Sequence, residues 1–342
     1  MDPAEALNRI ATLLERRREP RYRVQAFRRA AVTVRDVPEA ELRRLASVGR
    51  LRDLQNVGEK TAAIIVEALA GKKPEYLVNL EQDAVEPGTD AGNAIRRALR
   101  GDLHVHSDWS DGGHTIRAMA EQVRDLGHDY FALTDHSPRL TIAHGLSPER
   151  LREQLDVVAE LNGELAESDH PVRILTGIEV DILDDGSLDQ EPELLSELDV
   201  VVASVHSKLR QDEPGMTARM VAAMQDPHAD ILGHCTGRIV VGRGRPESTF
   251  DVDAVLSTIL EHDKALEINC RPERLDPPKR ILGQAVEMGL KISIDTDSHA
   301  TDQLEWHPFG TDRAAECGVR VESVVNSWPI EQLLAWTASH EA

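Results

Sequence analysis

The chain has 342 residues, a length typical of two domains. Its net charge of −21 disfavours nucleic acid as a partner of the chain as a whole. The charge is uneven: residues 1–100 hold 19 basic and 15 acidic side chains (+4), whereas residues 101–342 hold 20 basic and 45 acidic ones (−25). The hydrophobic content of 41% is enough for a core and excludes a disordered chain.

Nothing in the sequence indicates export or membrane insertion. No apolar run approaches the roughly 20 residues of a membrane span. The first residues, MDPAEALNRI, lack the basic and apolar regions of a secretory signal. The three cysteines, Cys235, Cys270 and Cys317, are too scattered for a disulfide framework. We therefore expect a reduced, cytoplasmic protein with no membrane partner.

Residues 1–80 have the pattern of a small all-α domain. Apolar residues recur every three to four positions, and Gly71 follows the last of these runs as a helix C-cap would. The next stretch, residues 81–99, is acidic at its start, contains Pro87 and Gly88, and is predicted to be a linker. Residues 100–342 form the second predicted domain.

In the second domain, short apolar runs alternate with amphipathic patterns, as is typical of βα units. No predicted strand is followed by a glycine-rich phosphate loop, whereas chemically functional side chains follow nearly every strand. This distribution favours a closed α/β barrel over a doubly wound sheet, because barrel active sites lie at the carboxyl ends of the strands. The seven predicted strands are 102–106, 130–135, 173–181, 200–206, 229–234, 265–270 and 291–297.

The strand ends carry side chains that suit a metal site. His104 and His106 form an H-x-H pair, and alternate residues of a strand face the same way, so both imidazoles can reach one ion. Asp297 and His299 have the same spacing. Imidazole and carboxylate ligands without thiolates suit Zn²⁺, Mn²⁺ or Fe²⁺. The candidate ligands are His104, His106, Asp111, His136, Glu179, His206, His234, Asp297 and His299.

A lone histidine at a strand end is more often a hydrogen-bonded structural residue than a ligand. Six histidines and three carboxylates at the same end of successive strands are harder to explain in that way, because desolvating them together without a cation would be costly. Nine ligands exceed the needs of one ion, so we expect a cluster of two or three.

Seven motifs in this order resemble the PHP (polymerase and histidinol phosphatase) domain: DLHVHSDWSDG, LTDHS, GIEVDIL, SVHS, GHCTGR, EINC and DTDSH. The segments IAHGLSPERL, DGSLD and RLD at 274–276 are similar to the C-terminal PHP domain of bacterial and archaeal family X DNA polymerases. The resemblance covers about residues 100–342. It implies a distorted seven-stranded (β/α) barrel, in agreement with the strand count.

The resemblance also implies a trinuclear site of divalent ions. Its ligand groups are His104, His106, Glu179 and Asp297 for the first ion, Glu179, His206 and His234 for the second, and Asp111, His136 and His299 for the third. Such ions activate a water whose hydroxide attacks phosphorus, and they neutralise charge in the transition state. Arg238, Arg271 and Arg274 follow strand ends and are candidate catalytic residues, with surface salt bridges as the alternative role.

The segment LRDLQNVGEKTAAIIVEAL resembles a helix-hairpin-helix, with a plain helical turn as the alternative. Amides at the start of its second helix would donate to a DNA phosphate without reading sequence, and Lys60 would add charge. Asn56 replaces the first glycine of the hairpin, and asparagine tolerates left-handed backbone. With RYRVQAFRRAA and GKKPEYLVNLE, the segment is similar to the N-terminal DNA-binding domain of family X polymerases. Asn56, Gly58 and Lys60 are the candidate DNA-binding residues.

The two regions lie too close together in the chain for a polymerase domain between them. About twenty residues separate them, far fewer than a domain needs, so we expect no polymerase activity. Ile64 stands where lyase-competent relatives have a Schiff-base lysine, so lyase activity of that type is not expected either.

We therefore predict a metal-dependent phosphodiesterase that acts on DNA, as a 3′-5′ exonuclease or 3′-end-processing enzyme of DNA repair. Two alternatives stay open. A small-molecule phosphatase of the histidinol-phosphatase type would use the same metal chemistry, but it would not need the hairpin segment. A DNA-binding adaptor with a structural metal cluster would not need a complete ligand set.

Overall fold

The structure, a computed structural model, describes residues 1–82 and 88–341. The chain divides into two compact units, one formed by Met1–Glu86 with Val241–Gly244 and the other by Pro87–Val240 with Arg245–Ala342. In the described ranges, no helix is both long and apolar enough to cross a bilayer.

The N-terminal unit is helical. Its helices are α1 Pro3–Arg16, α2 Arg21–Arg35, α3 Glu39–Ser47, α4 Glu59–Leu69 and α5 Glu75–Gln82. Helix α1 begins after Asp2, whose carboxylate accepts a hydrogen bond from the Glu5 amide at 2.9 Å. Its apolar stripe, which includes Leu7, Ile10 and Leu14, is buried in the core of this unit and packs on α2 and α4.

The second unit is built on seven parallel strands in sequential order. They are β1 Gly101–Val105, β2 Tyr130–Leu133, β3 Arg173–Asp181, β4 Val200–Ser204, β5 Ile231–Leu232, β6 Ala265–Asn269 and β7 Lys291–Asp295. A parallel bridge between Val105 and Ser298 joins the first and last strands, and the His106 amide donates to the Ser298 carbonyl at 2.8 Å. The sheet is therefore a nearly closed barrel, as predicted.

Helices surround the barrel because each strand returns to the next through a connection on its outer face. They are α6 Asp90–Ala98, α7 Ile116–Asp125, α8 Pro148–Leu165, α9 Pro192–Leu195, α10 Glu213–Gln225, α11 Val252–Glu261, α12 Lys279–Met288, α13 His307–Glu316 and α14 Ile330–Ala338. One apolar cluster joins Leu103, Val202 and Ile231 from the strands to Leu333 and Trp336 of α14.

The predicted linker, residues 81–99, contains helix α6, and its residues 83–87 lie outside the described part of the chain. Thr89 caps α6 by accepting a hydrogen bond from the Gly92 amide at 3.0 Å, and Ile95 is buried. The backbone and hydroxyl of Thr89 both donate to Asp312 of α13. Gly92 is required there, because a Cβ would clash with the Asp312 backbone. Part of the predicted linker is therefore a helix of the barrel unit, which the polar composition of this stretch did not indicate.

Candidate metal centre

Glu179, on β3, lies at the centre of a cluster of histidines. Its side chain is buried, and both carboxylate oxygens face imidazole nitrogens. The nitrogen atoms near these oxygens belong to His136 (2.8 Å), His234 (2.9 Å), His206 (3.1 Å), His104 (3.3 Å) and His106 (3.5 Å). One carboxylate thus contacts residues from four other strands or the loops that follow them.

The structure brings all nine predicted ligands together. Three groups have donor atoms that lie within 4.8 Å of one another: His104, His106 and Asp297; His136, Glu179 and His206; and His106, Asp111, His136 and His299. His234 joins the cluster through Glu179. The resemblance assigns His106 and His136 to one ion each, whereas in the structure each of them belongs to two of these groups. Their role as ligands remains a prediction.

The loop after β1, which carries Asp111, is held by a carboxylate that the sequence analysis did not single out. Asp135 is buried after β2 and accepts hydrogen bonds from the hydroxyls of Ser107 (2.6 Å) and Ser110 (2.5 Å) and from the amide of Gln154 (2.7 Å). This network positions Asp111, whose carboxylate lies 3.2 Å from His299. An acidic residue directly before His136 was the available sequence signal.

The buried donor atoms of the cluster suit the binding of cations. Within the described residues, several buried ring nitrogens of this cluster have no hydrogen-bond partner: both nitrogens of His106, His206 Nδ1 and His234 Nδ1. An unsatisfied buried polar atom costs about 1–3 kcal/mol, so a cluster of them would destabilise an ion-free barrel. Divalent cations would satisfy those atoms that face the centre.

The carboxylates of the cluster are held in the ionised form. Burial raises the pKa of Glu179, but the charges of His206 and His104 outweigh it and hold that pKa well below its ordinary value. For Asp297, burial is likewise opposed by Arg271, and the pKa is well below its ordinary range. Because metal binding requires deprotonated ligands, both carboxylates are in the competent state.

The histidines differ in protonation. Burial and the neighbouring His299 and His136 lower the pKa of His106 well below its ordinary value, which keeps this imidazole neutral and able to bind a metal. Burial lowers the pKa of His136, but Glu179 and Asp111 raise it to about 10. A proton and a metal ion therefore compete for the ring of His136, and metal loading should release protons.

A second carboxylate missed by the sequence analysis supports two of the candidate ligands. Glu267, buried on β6, accepts from Nδ1 of His104 at 2.6 Å and from the backbone amide of His234. A charged residue in the middle of the apolar strand ALEIN, two positions before Asn269, was the signal that could have revealed it. Carboxylates of this kind orient imidazoles and raise their basicity.

The three candidate arginines have different surroundings. The guanidinium of Arg238 donates to the carbonyls of Arg274 (3.1 Å) and Leu275, so it holds a loop together. Arg271 donates to the Asp297 carbonyl at 3.0 Å, and Nε of Arg274 lies 3.4 Å from the Asp297 carboxylate. Arg271 and Arg274 therefore border the cluster, whereas Arg238 is engaged with the backbone.

In the N-terminal unit, the predicted hairpin has a left-handed residue at Asn56, with a φ of 62°. The Gly58 amide donates to the hydroxyl of Thr61 at 2.9 Å, so that amide is already used. Nζ of Lys60 lies 3.6 Å from the ring centre of Tyr76, which fixes the position of this charge on α4.

The fold and the donor set define an enzyme of the metal-dependent hydrolase type on an α/β barrel. A comparison with known families gives two matches, the PHP domain over residues 102–271 and a helix-hairpin-helix domain over residues 1–74. The chain belongs to the PHP-domain family of metal-dependent phosphoesterases, and its N-terminal unit is a helix-hairpin-helix domain.

Similar proteins include enzymes of two kinds. The DNA polymerase/3′-5′ exonuclease PolX of Bacillus subtilis (strain 168) is 38% identical over 70% of this chain, and the match spans 41% of that protein. A probable phosphatase of Thermoanaerobacter sp. (strain X514) is 30% identical over 58% of this chain and 79% of that protein. The structure of a histidinol phosphate phosphatase from Lactococcus lactis subsp. lactis Il1403, complexed with zinc, L-histidinol and phosphate, is also similar. The match covers 65% of this chain and 95% of that chain, with 19% sequence identity and a TM-score of 0.47.

Proposed function

We propose that the protein is a phosphodiesterase that acts on the 3′ ends of DNA, either as a 3′-5′ exonuclease or as a 3′-end-processing enzyme. The observation that carries the proposal is the presence of a complete cluster of candidate metal ligands and a helix-hairpin-helix domain in one chain. The PHP domain supplies phosphoester hydrolysis, and the hairpin domain supplies a grip on the phosphate backbone. The match to a protein whose name includes 3′-5′ exonuclease supports this substrate class.

The residues of the site have distinct tasks in this mechanism. When bound, divalent ions at the nine ligands would activate water and polarise the phosphoryl group. The ionised carboxylates of Asp111, Glu179 and Asp297 would offset part of the charge of those cations. Arg274, whose guanidinium lies at the edge of the cluster, would donate hydrogen bonds to phosphoryl oxygens. Arg271 positions Asp297.

In the hairpin domain, Lys60 and the turn at Asn56 would bind backbone phosphates, and Gly58, whose amide bonds to Thr61, would shape that turn, so binding would not depend on sequence. The 19 residues between the predicted domains leave no room for a polymerase domain, and we propose no polymerase activity. The cytoplasmic location predicted from the cysteine content also remains a proposal.

A small-molecule phosphatase is the second candidate, favoured by the similarity to probable phosphatases along most of their length. A panel of Mn²⁺, Zn²⁺ and Fe²⁺ against a 5′-labelled oligonucleotide and histidinol phosphate separates the two. We expect loss of 3′ nucleotides with at least one ion and no loss in EDTA. Faster turnover of histidinol phosphate, with intact oligonucleotide under every metal, would reject the DNA proposal.

A further inference from the structure

The loop that follows His136, residues 137–147 (the rim loop), is fixed at its base. The Ser137 hydroxyl and the Arg139 amide both donate to the Asp189 carboxylate, at 2.9 and 2.6 Å. The Leu146 amide donates to the His136 carbonyl at 2.7 Å, which closes the loop on itself. Both ends of the rim loop are therefore held in place next to His136.

The outer part of the rim loop is fixed as well. The Arg150 guanidinium donates to the carbonyls of His144 (2.7 Å) and Trp109 (2.5 Å), and Trp109 lies on the loop that carries Asp111. Gly145 packs so closely on the Ser137 carbonyl that a Cβ would clash with it. A loop ordered in this way loses little conformational entropy when a ligand binds to it.

Two side chains on this fixed loop point away from the protein. Ile142 is 89% exposed, the highest fraction among the large apolar side chains of the described residues. Arg139 is exposed, and its guanidinium makes no ion pair or hydrogen bond within the described ranges. Neither position contributes to a core. An apolar and a cationic side chain three residues apart complement one nucleotide, which has an apolar base face and an anionic phosphate.

We propose that the rim loop is a nucleotide subsite: Arg139 binds a phosphate that is not cleaved, and Ile142 packs against the base or sugar next to it. The proposal rests on the proposed action on DNA and specifies how the site selects a strand over a small phosphate ester. A small ester has no second phosphate for Arg139. Lys208, which pairs with Asp184 at 2.5 Å, lowers the pKa of that carboxyl, and the charge of the nearby Arg139 adds a smaller effect in the same direction. This acidic neighbour makes phosphate binding weak and sensitive to salt.

The test compares a 5′-labelled single-stranded oligonucleotide with bis(p-nitrophenyl) phosphate, using the full-length, metal-loaded protein. For Arg139→Ala, we expect the ratio of kcat/KM on the oligonucleotide to that on the aryl diester to fall about tenfold, because one charge-assisted contact is lost. The loss should appear in KM, and the salt slope for the oligonucleotide should fall by about 0.7. For Ile142→Ala, the ratio should fall about threefold to fivefold.

Matched controls are Arg320→Ala and Leu260→Ala, which remove an exposed arginine and a half-exposed leucine elsewhere on the barrel unit. Arg320 lies four residues before Val324, which pairs with Ile292 near the amino-terminal end of β7. The control variants should leave the ratio unchanged. Equal losses on both substrates, or an unchanged ratio in Arg139→Ala and Ile142→Ala, would overturn the subsite alone. A wild-type protein that cleaves the aryl diester but no oligonucleotide would overturn the proposed function and the subsite with it.

Discussion

His104 Nδ1 lies 2.6 Å from Oε1 of Glu267, and both side chains are fully buried. The bond directs the other ring nitrogen of His104 towards Glu179, at 3.3 Å. Glu267 also accepts from the backbone amide of His234, so one carboxylate orients two neighbouring elements of the cluster. The geometry of the candidate metal centre therefore depends on a residue that is not itself one of the candidate ligands.

Replacing this carboxylate should weaken metal binding. In Glu267→Gln, an amide oxygen can still accept a hydrogen bond, but the basicity of His104 falls, so we expect metal affinity to fall about 10- to 100-fold. Calorimetric titration with Mn²⁺ or Zn²⁺ measures this change. The surface variant Glu316→Gln, which alters an exposed pair with Lys279, is the control and should bind metal normally. Unchanged affinity in Glu267→Gln would contradict the positioning role.

Metal removal should destabilise the barrel, because the buried nitrogens of the cluster then lack partners. A metal ion at a free concentration of 100 times its Kd stabilises the folded state by about 2.7 kcal/mol. For a unit of this size, this corresponds to an increase in Tm of roughly 5–10 °C. Scanning calorimetry with and without EDTA tests this. In Glu179→Gln, the response to metal should be lost. A Tm of wild-type protein that is insensitive to EDTA and to added metal would argue against the site.

His106→Ala separates catalysis from a structural role of the cluster. Both ring nitrogens of His106 are buried without a hydrogen-bond partner in the described chain, and its ring faces two of the three donor groups. We expect turnover to fall by at least 100-fold while the circular dichroism spectrum and DNA binding are retained. Loss of folding without a separate loss of turnover would instead favour the structural cluster of an adaptor protein.

Replacing Arg274 should lower turnover, whereas replacing Arg238 should lower stability. Arg274→Ala removes a guanidinium from the edge of the cluster, and we expect kcat to fall about 100- to 1000-fold with little change in Tm. Arg238→Ala leaves the carbonyls of Arg274 and Leu275 without a donor, and it should lower the free energy of unfolding by about 1–3 kcal/mol. Steady-state kinetics and chemical denaturation of both variants measure the two effects. Loss of turnover in Arg238→Ala and loss of stability in Arg274→Ala would contradict this assignment.

A histidine outside the set of predicted ligands, His307, should make stability depend on pH. Burial lowers the pKa of His307 to about 4, whereas an unfolded histidine titrates near 6.5. As the pH falls from about 6.5 to 4, the unfolded chain binds a proton that the folded chain excludes, so His307 lowers stability by roughly 3 kcal/mol. Asp102, 3.4 Å from the ring, has its pKa raised to about 6 by burial and acts in the opposite direction.

The contribution of His307 is isolated by comparison with His307→Gln. The free energy of unfolding of wild-type protein relative to this variant should decrease steadily between pH 6.5 and 4 and stay constant above pH 7. Urea denaturation across this range measures it. A difference that does not change with pH would show that the buried ring takes up its proton as readily as the unfolded chain.

Lys60→Ala should weaken DNA binding by a similar factor for every sequence, and the salt slope should fall by about 1, since one phosphate contact is lost. Fluorescence anisotropy with two unrelated oligonucleotides at several salt concentrations measures both quantities. Lys279→Ala, in an exposed ion pair on the barrel unit, is the control. A change confined to one oligonucleotide would indicate base recognition instead.

Much of the barrel follows from local pattern. Predicted strand 173–181 coincides with β3, and predicted strand 102–106 is displaced by one residue from β1. The predictions for β2, β4, β6 and β7 run one or two residues past the carboxyl end of the strand, and the largest difference is at β5. There, residues 229–234 were predicted, but only Ile231–Leu232 are paired as a strand. At the start of the predicted segment, the Asp230 backbone still bonds to Val201 and Ala265, while its carboxylate accepts from the Val201 amide at 2.8 Å and makes the pairing irregular.

By itself, the sequence determined the class of fold and the residue types at the strand ends, because alternation along strands and the geometry of parallel barrels act locally and repeat. Only the tertiary structure decided which donors meet. Closure of the barrel brings Glu267 to His104 across 163 residues of sequence and places Glu179 among five imidazoles. It also engages Arg238 with the backbone. Such pairings depend on the register and curvature of all seven strands, and no local pattern specifies them.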